Sequence, residues 1–286
     1  MRGERRILVT GAAGRVGLAV TAACAARDLR VRAYVPGPDQ AEQALAAGAQ
    51  EVVQGRFGDE AILARACLGA DAVYHVAPRF DPDEVMNGAR VIAAARAAGV
   101  SRLVYHSVLH PQITALPHHW RKMRVEEMLF ASGLDVTALQ PAPLLQDVVE
   151  RMPAIRETGL YADPCSIHAR VSFVDLGDVA AVAARVLDED GHAGATYELV
   201  GTAPLTRLDI AGALSRRLHM PVRAVEQSLA DWEAETADLP ADRRDALGRM
   251  YAWIAAHGLV GSPTVLRLLL GREPRGLEDC LASASG

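Results

Sequence analysis

The 286-residue chain is 50% hydrophobic and 23% charged, with a formal net charge of −5. That balance suits one large domain, or a medium domain with a smaller appendage, around an ample core. No lysine- or arginine-rich run occurs, so neither nucleic acid nor an anionic membrane is expected as a partner.

In chain order, RRILVTG predicts a buried strand, GRVGLAVTAACAARD a helix, RVRAYV a strand, DQAEQALAAGA a helix and QEVVQG a strand. A helix from about Asp59 to Leu68 follows, then DAVYHV as a strand and EVMNGARVIAAARAAG as a longer helix. SRLVYHSV predicts the fifth strand, HHWRKMRVEEMLFASG a helix and LDVTALQP the sixth strand. Short apolar strands alternating with helices predict parallel strands covered on both faces. Beyond Pro141-Ala142-Pro143 the rhythm loosens. VSFVDLGDVAAVAARVL predicts a strand and a helix returning to the sheet, with Asp175 as the helix cap, and ATYELVG another strand. The tail from about Pro204 is mainly helical, and its stripe through Tyr251 and Trp253 reads either as core or as a lid over an apolar or aromatic substrate.

The expected architecture is therefore α/β. A doubly wound parallel sheet occupies residues 1–150, with 165–200 returning to it, and 201–286 form a smaller, mainly helical C-terminal lobe. Four dispersed cysteines (Cys24, Cys67, Cys165, Cys280) include no C-x-x-C pair, which points away from structural zinc and toward a reduced compartment. No apolar run suits a signal peptide or a membrane span, so the expected location is the cytoplasm.

The first strand–helix junction reads VTGAAGRVG. In the G-x-x-G-x-x-G spacing, Gly11 permits a tight turn and Gly14 lets backbone approach a phosphate. Gly17 lets the helix pack close to the sheet, and the helix N-terminus offers free N–H groups to a pyrophosphate. Placed at the first junction of a βαβ rhythm, the loop of Gly11, Ala13, Gly14, Arg15, Val16 and Gly17 predicts a dinucleotide site. Val35 and Pro36 stand where an acidic NAD marker or a basic NADP marker would fall. Asp39 reads as a marker displaced by three residues or as a cap of the next helix. Arg15 reads as a partner for a 2′-phosphate or as a surface charge; the balance favours NADP over NAD.

Six blocks, TGAAGRVG, AGAQEVVQG, GADAVYHVAP, VIAAARAAGVSRLVYHSVLH, HHWRKMRVEEMLFASGLDVTALQPAPLLQD and VSFVDLGDVAAVAARVL, together resemble the NmrA-like branch of the atypical short-chain dehydrogenase/reductase superfamily. The resemblance runs over about the first 190 residues. It implies a Rossmann domain binding NADP or NAD, and a reductase acting on a carbonyl or an activated double bond of a small organic molecule. It also admits two alternatives: a redox-sensing regulator without turnover, and a cofactor-dependent isomerase. It places Gly11, Gly14 and Gly17 at the pyrophosphate, His75, Val76, Ala77 and Pro78 along the adenosine half and central ribose, and Ser107 facing the nicotinamide. Lys122 would bond the nicotinamide ribose, and Pro141, Ala142 and Pro143 the carboxamide. A monomer or a homodimer is expected.

The sequence departs from that pattern at the Tyr-x-x-x-Lys register, which reads His118-His119-Trp120-Arg121-Lys122. Pro36 and Arg56 likewise replace residues common among relatives. His106, His110, His118 and His119 cluster around the fifth strand's end, where a histidine titrating near neutrality would move a proton. His118 is first by register, and it reads alternatively as a helix-start residue. Ser107 is the remaining catalytic candidate. Zinc ligation is not expected, and Glu126 and Glu127 read as solvated helix charges.

Overall fold

The computed structural model describes residues 5–284. In chain order its elements are β1 (Arg6–Thr10), α1 (Arg15–Ala25), β2 (Arg30–Val35), α2 (Pro38–Ala46), β3 (Glu51–Gln54), α3 (Glu60–Cys67) and β4 (Ala72–His75). These are followed by α4 (Glu84–Ala97), β5 (Arg102–His106), α5 (Pro117–Phe130), β6 (Asp135–Pro141), α6 (Gln146–Val149), α7 (Met152–Thr158) and β7 (Leu160–Asp163). The chain ends in α8 (Leu176–Asp188), β8 (Ala195–Leu199), α9 (Arg207–Leu218), β9 (Arg223–Glu226), α10 (Leu229–Glu235), α11 (Ala241–His257), α12 (Thr264–Leu270) and α13 (Leu277–Ser283).

The main sheet has seven strands in the order β3-β2-β1-β4-β5-β6-β8. The pairings from β3 through β6 are parallel. Because the order reverses direction between β1 and β4, the loops leaving their C-terminal ends diverge and open a crevice there.

Side-chain alternation divides the strands. Leu8, Val73, Leu103, Tyr105 and Val136 enter one core with Val91 of α4 and Val125 and Leu129 of α5. Helices α4 and α5 approach closely at Gly88, where a Cβ would lie 2.9 Å from both Val125 methyls. Elsewhere, Arg27, just beyond α1, bonds Asp188 and Glu189 at the end of α8.

The chain forms two compact units. The first comprises residues up to Gln112 with His119–Gln140 and Val179–Tyr197; the second comprises Ile113–His118, Pro141–Asp178 and the chain from Glu198 onward. The second unit contains α9–α13 and a parallel pair, β7–β9, that the sequence pattern did not signal.

The strand expected at VSFVD is absent from the main sheet. Val171 instead bridges Leu205 and Leu259, and Val174 bridges Leu144. The segment's amides are divided among the carbonyls of Leu205, Leu259 and Pro143 and the Thr202 hydroxyl, so no continuous ladder forms. Asp175 does cap α8, its Oδ1 accepting from the N–H groups of Gly177 and Asp178. Asp39 is not a cap: Gly37 holds that position, and Asp39 lies in the first turn of α2.

Candidate functional site

The loop after β1 shows what each glycine is for. Gly11 has φ +60°, and a Cβ there would sit 2.5 Å from the Val76 carbonyl oxygen. A Cβ on Gly17 would meet Gly11 O at 2.2 Å and Ala12 Cα at 2.7 Å. Backbone packing therefore requires both. Gly14 is different: its Cβ position has only Gly11 O nearby, at 3.3 Å. It caps α1 with extended backbone and no side-chain hydrogen bond, and no acid occupies the first turn. A positive helix end reached past a residue without a side chain has the chemistry that suits an anion. Arg15 and Val16 open α1 half-buried, as is Ala13 before them.

Thr10 ties the end of β4 to this loop. Its Oγ1 lies 2.8 Å from His75 Nδ1 and accepts the Val76 N–H at 3.3 Å. The His75 ring is 1% exposed and stacks on Tyr105, its register partner, with centroids 5.6 Å apart. Burial, reinforced by the Lys122 charge, pushes its pKa down to about 3. Alternation turns this ring into the core. Within the HVAP segment, the close approach to the glycine loop is made by Val76.

Two buried clusters follow β5. In the first, the Ser107 hydroxyl donates to Glu126 Oε1, and Gln140 Nε2 donates to both Glu126 oxygens at 3.0 Å. Glu126 is 5% exposed, which corrects its reading as a solvated charge. Glu127, with a 66% exposed side chain paired to Arg124, keeps that reading. Ser107 has its proton committed to a carboxylate and retains acceptor capacity.

In the second cluster, Lys122 Nζ donates to Glu84 Oε1 at 2.6 Å and to the His106 carbonyl at 3.1 Å. Tyr105 donates its hydroxyl to the same Glu84 oxygen at 2.8 Å. Glu84 opens α4 and is 1% exposed. Sequence reasoning missed it, because an acid at a helix start normally signals only a favourable helix end. An ammonium has three donors, so one Lys122 N–H remains after these two bonds.

The histidines separate by environment. His106 Nδ1 faces the Tyr74 hydroxyl at 2.8 Å, and burial first, then Lys122, pushes its pKa down to about 3. His119 Nδ1 donates to the His110 carbonyl at 3.0 Å, and its pKa falls to about 4, again mainly by burial. These two are therefore neutral imidazoles at neutral pH, not the near-neutral titrating groups expected. His110 adopts left-handed φ (+56°), as does Phe80 in the loop after β4. His118 is buried one helical turn before Lys122, so the two project from one face of α5. Pro141 closes β6. The next two residues are held through backbone: Ala142 N–H donates to Leu199 O, and Pro143 O accepts from Val174 N–H, each at 3.0 Å.

Strand order, crevice and glycine cradle together define a protein of the dinucleotide-binding Rossmann class. More specifically, the chain belongs to the NmrA-like family, which it matches over residues 3–283. It is 31% identical over 280 residues to an NAD(P)H azoreductase of Xenophilus azovorans, covering 94% of each chain. It is 38% identical over 228 residues to a (4-alkanoyl-5-oxo-2,5-dihydrofuran-3-yl)methyl phosphate reductase of Streptomyces griseus, covering 77% of this chain and 76% of the relative. The structure of the NADPH-dependent quinone oxidoreductase QOR2 of Escherichia coli, complexed with NADPH, superposes with a TM-score of 0.86 at 28% identity. That match covers 96% of this chain and 98% of the other.

Proposed function

We propose that this protein is an NAD(P)H-dependent reductase of a small organic molecule, acting on a carbonyl or an activated double bond of the quinone or enone type, with NADPH preferred. The observation that carries this reading is the open Gly14 cradle at the start of α1, in a chain that aligns nearly end to end with named reductases. The backbone of Gly11–Gly17 and the Val76–Pro78 segment would hold the dinucleotide, with the remaining Lys122 N–H on a ribose hydroxyl. When bound, the nicotinamide supplies a hydride. The chain's own task is then to orient the acceptor and deliver a proton. His75, His106 and His119 are held neutral, and the Ser107 proton is committed to Glu126. Our assignment for the proton donor is His118, one turn before Lys122 on the same face of α5. We assign substrate recognition to the second, mainly helical unit.

The test is a titration with NADPH and NADH, followed by cofactor oxidation on a panel of quinones, azo dyes and enones. Saturable NADPH binding with turnover on at least one class is expected. A folded protein that binds neither cofactor at millimolar concentration overturns the reading. Binding without turnover on any class points to a non-catalytic dinucleotide-binding protein, and stronger NADH binding reverses the cofactor preference.

A further inference from the structure

Lys122 is the sole lysine among the chain's 30 lysine and arginine residues. The other described side-chain ion pairs use arginine. Lysine differs in presenting a compact charge with three donors on a flexible stem, whereas arginine presents a planar fork. A flexible stem serves a fixed contact only if something anchors it, and three groups do so here. Glu84 accepts at 2.6 Å, the His106 carbonyl at the end of β5 accepts at 3.1 Å, and the Tyr105 ring lies under Nζ at 5.3 Å.

We propose that Glu84 is a positioning residue that holds the ammonium of Lys122 at the C-terminal end of β5, leaving one N–H for the cofactor. The proposal rests on the reductase reading above. Glu84 suits the role because it is buried at the first turn of α4, where the helix end favours a carboxylate. The hydroxyl of Tyr105 fills a further acceptor site on the same oxygen. Burial and Glu84 together push the Tyr105 pKa well above its ordinary range, so it remains a donor. Burying such a pair costs desolvation energy and is weak evidence for stability alone. The observations are better explained by presentation of the amine than by core packing.

A single lysine makes the test clean. In the protein without cofactor, trace acylation followed by peptide mapping reports the reactivity of Lys122, while NADPH titration and the split of kcat from KM report its positioning. Glu84→Gln should raise Lys122 acylation severalfold and weaken NADPH binding about tenfold, the scale of one charge-assisted hydrogen bond. Tyr105→Phe, which removes a neighbouring bond but keeps the ion pair, should change acylation less than about twofold. Glu84→Asp keeps the charge and should recover part of both effects; it also serves if the Gln variant does not fold. Wild-type acylation and NADPH affinity in Glu84→Gln, or an Asp variant no better than Gln, overturns the proposal. A wild type that does not bind NADPH refutes the reductase reading instead, while acylation of the unliganded chain still decides whether Glu84 anchors Lys122.

Discussion

Substituting alanine at Gly14 and at Gly17 should separate binding from folding within one loop. At Gly17 the added methyl would overlap Gly11 O at 2.2 Å and Ala12 Cα at 2.7 Å, backbone atoms that cannot swing aside. Overpacking of that kind costs about 3 kcal/mol. Removing a helical glycine returns about 1 kcal/mol, leaving a net loss of ~2 kcal/mol. At ~2–4 °C per kcal/mol for a chain of this size, Tm falls by ~4–8 °C. At Gly14 the methyl meets only Gly11 O, at 3.3 Å, and the extended cap conformation suits any residue. The folding cost there is the loss of a good N-cap, about 0.5–1 kcal/mol. The same methyl, however, stands where an anion would approach the first amides of α1. Losing one charge-assisted hydrogen bond there costs about 1.5–3 kcal/mol, or ~10–100-fold in NADPH affinity. Thermal unfolding without ligand and fluorescence titration with NADPH measure the two effects separately. If Gly14→Ala binds NADPH as the wild type does, the cradle is not the phosphate site; if Gly17→Ala melts normally, the packing reasoning fails.

Replacing His118 by Phe should lower reductase turnover about 10²-fold with little change in NADPH affinity; unchanged steady-state turnover would eliminate it as the proton donor. Glu126→Ala strands the buried Ser107 hydroxyl and Gln140 amide, and should cost ~2–4 kcal/mol in urea unfolding; a loss below about 0.5 kcal/mol would show that these groups find other partners. His75, His106 and His119 have folded pKa values of about 3, 3 and 4 against 6.5 for the free side chain. Below about pH 6.5 the unfolded chain takes up protons that the folded chain refuses, so the stability these groups contribute is present above that pH and lost as pH falls. Between pH 7.5 and 5.5 each contributes a loss of about 1.4 kcal/mol, or ~4 kcal/mol for the three. Urea titrations at the two pH values check this, and equal midpoints would contradict the burial of these imidazoles.

Local pattern made the elements from β1 to β6 legible, because apolar runs, helical stripes and the glycine loop are each written within a few adjacent residues. The roles of Gly11 and Gly17 follow from the same proximity: the turn and the first helical turn that they serve are neighbours in the chain. The dinucleotide class and the family resemblance were therefore readable before any coordinates. Tertiary structure alone decided the rest. VSFVD has strand-like composition, but its amides meet acceptors from three distant segments. Glu126 has the look of a surface acid until Ser107, 19 residues away, and Gln140 enclose it. Glu84 and Lys122 lie 38 residues apart, and nothing in either neighbourhood announces the other. The histidines were visible as residues, but their charge state was not. A pKa is set by desolvation and by neighbouring charges in space, and both arise only when the strands and helices pack.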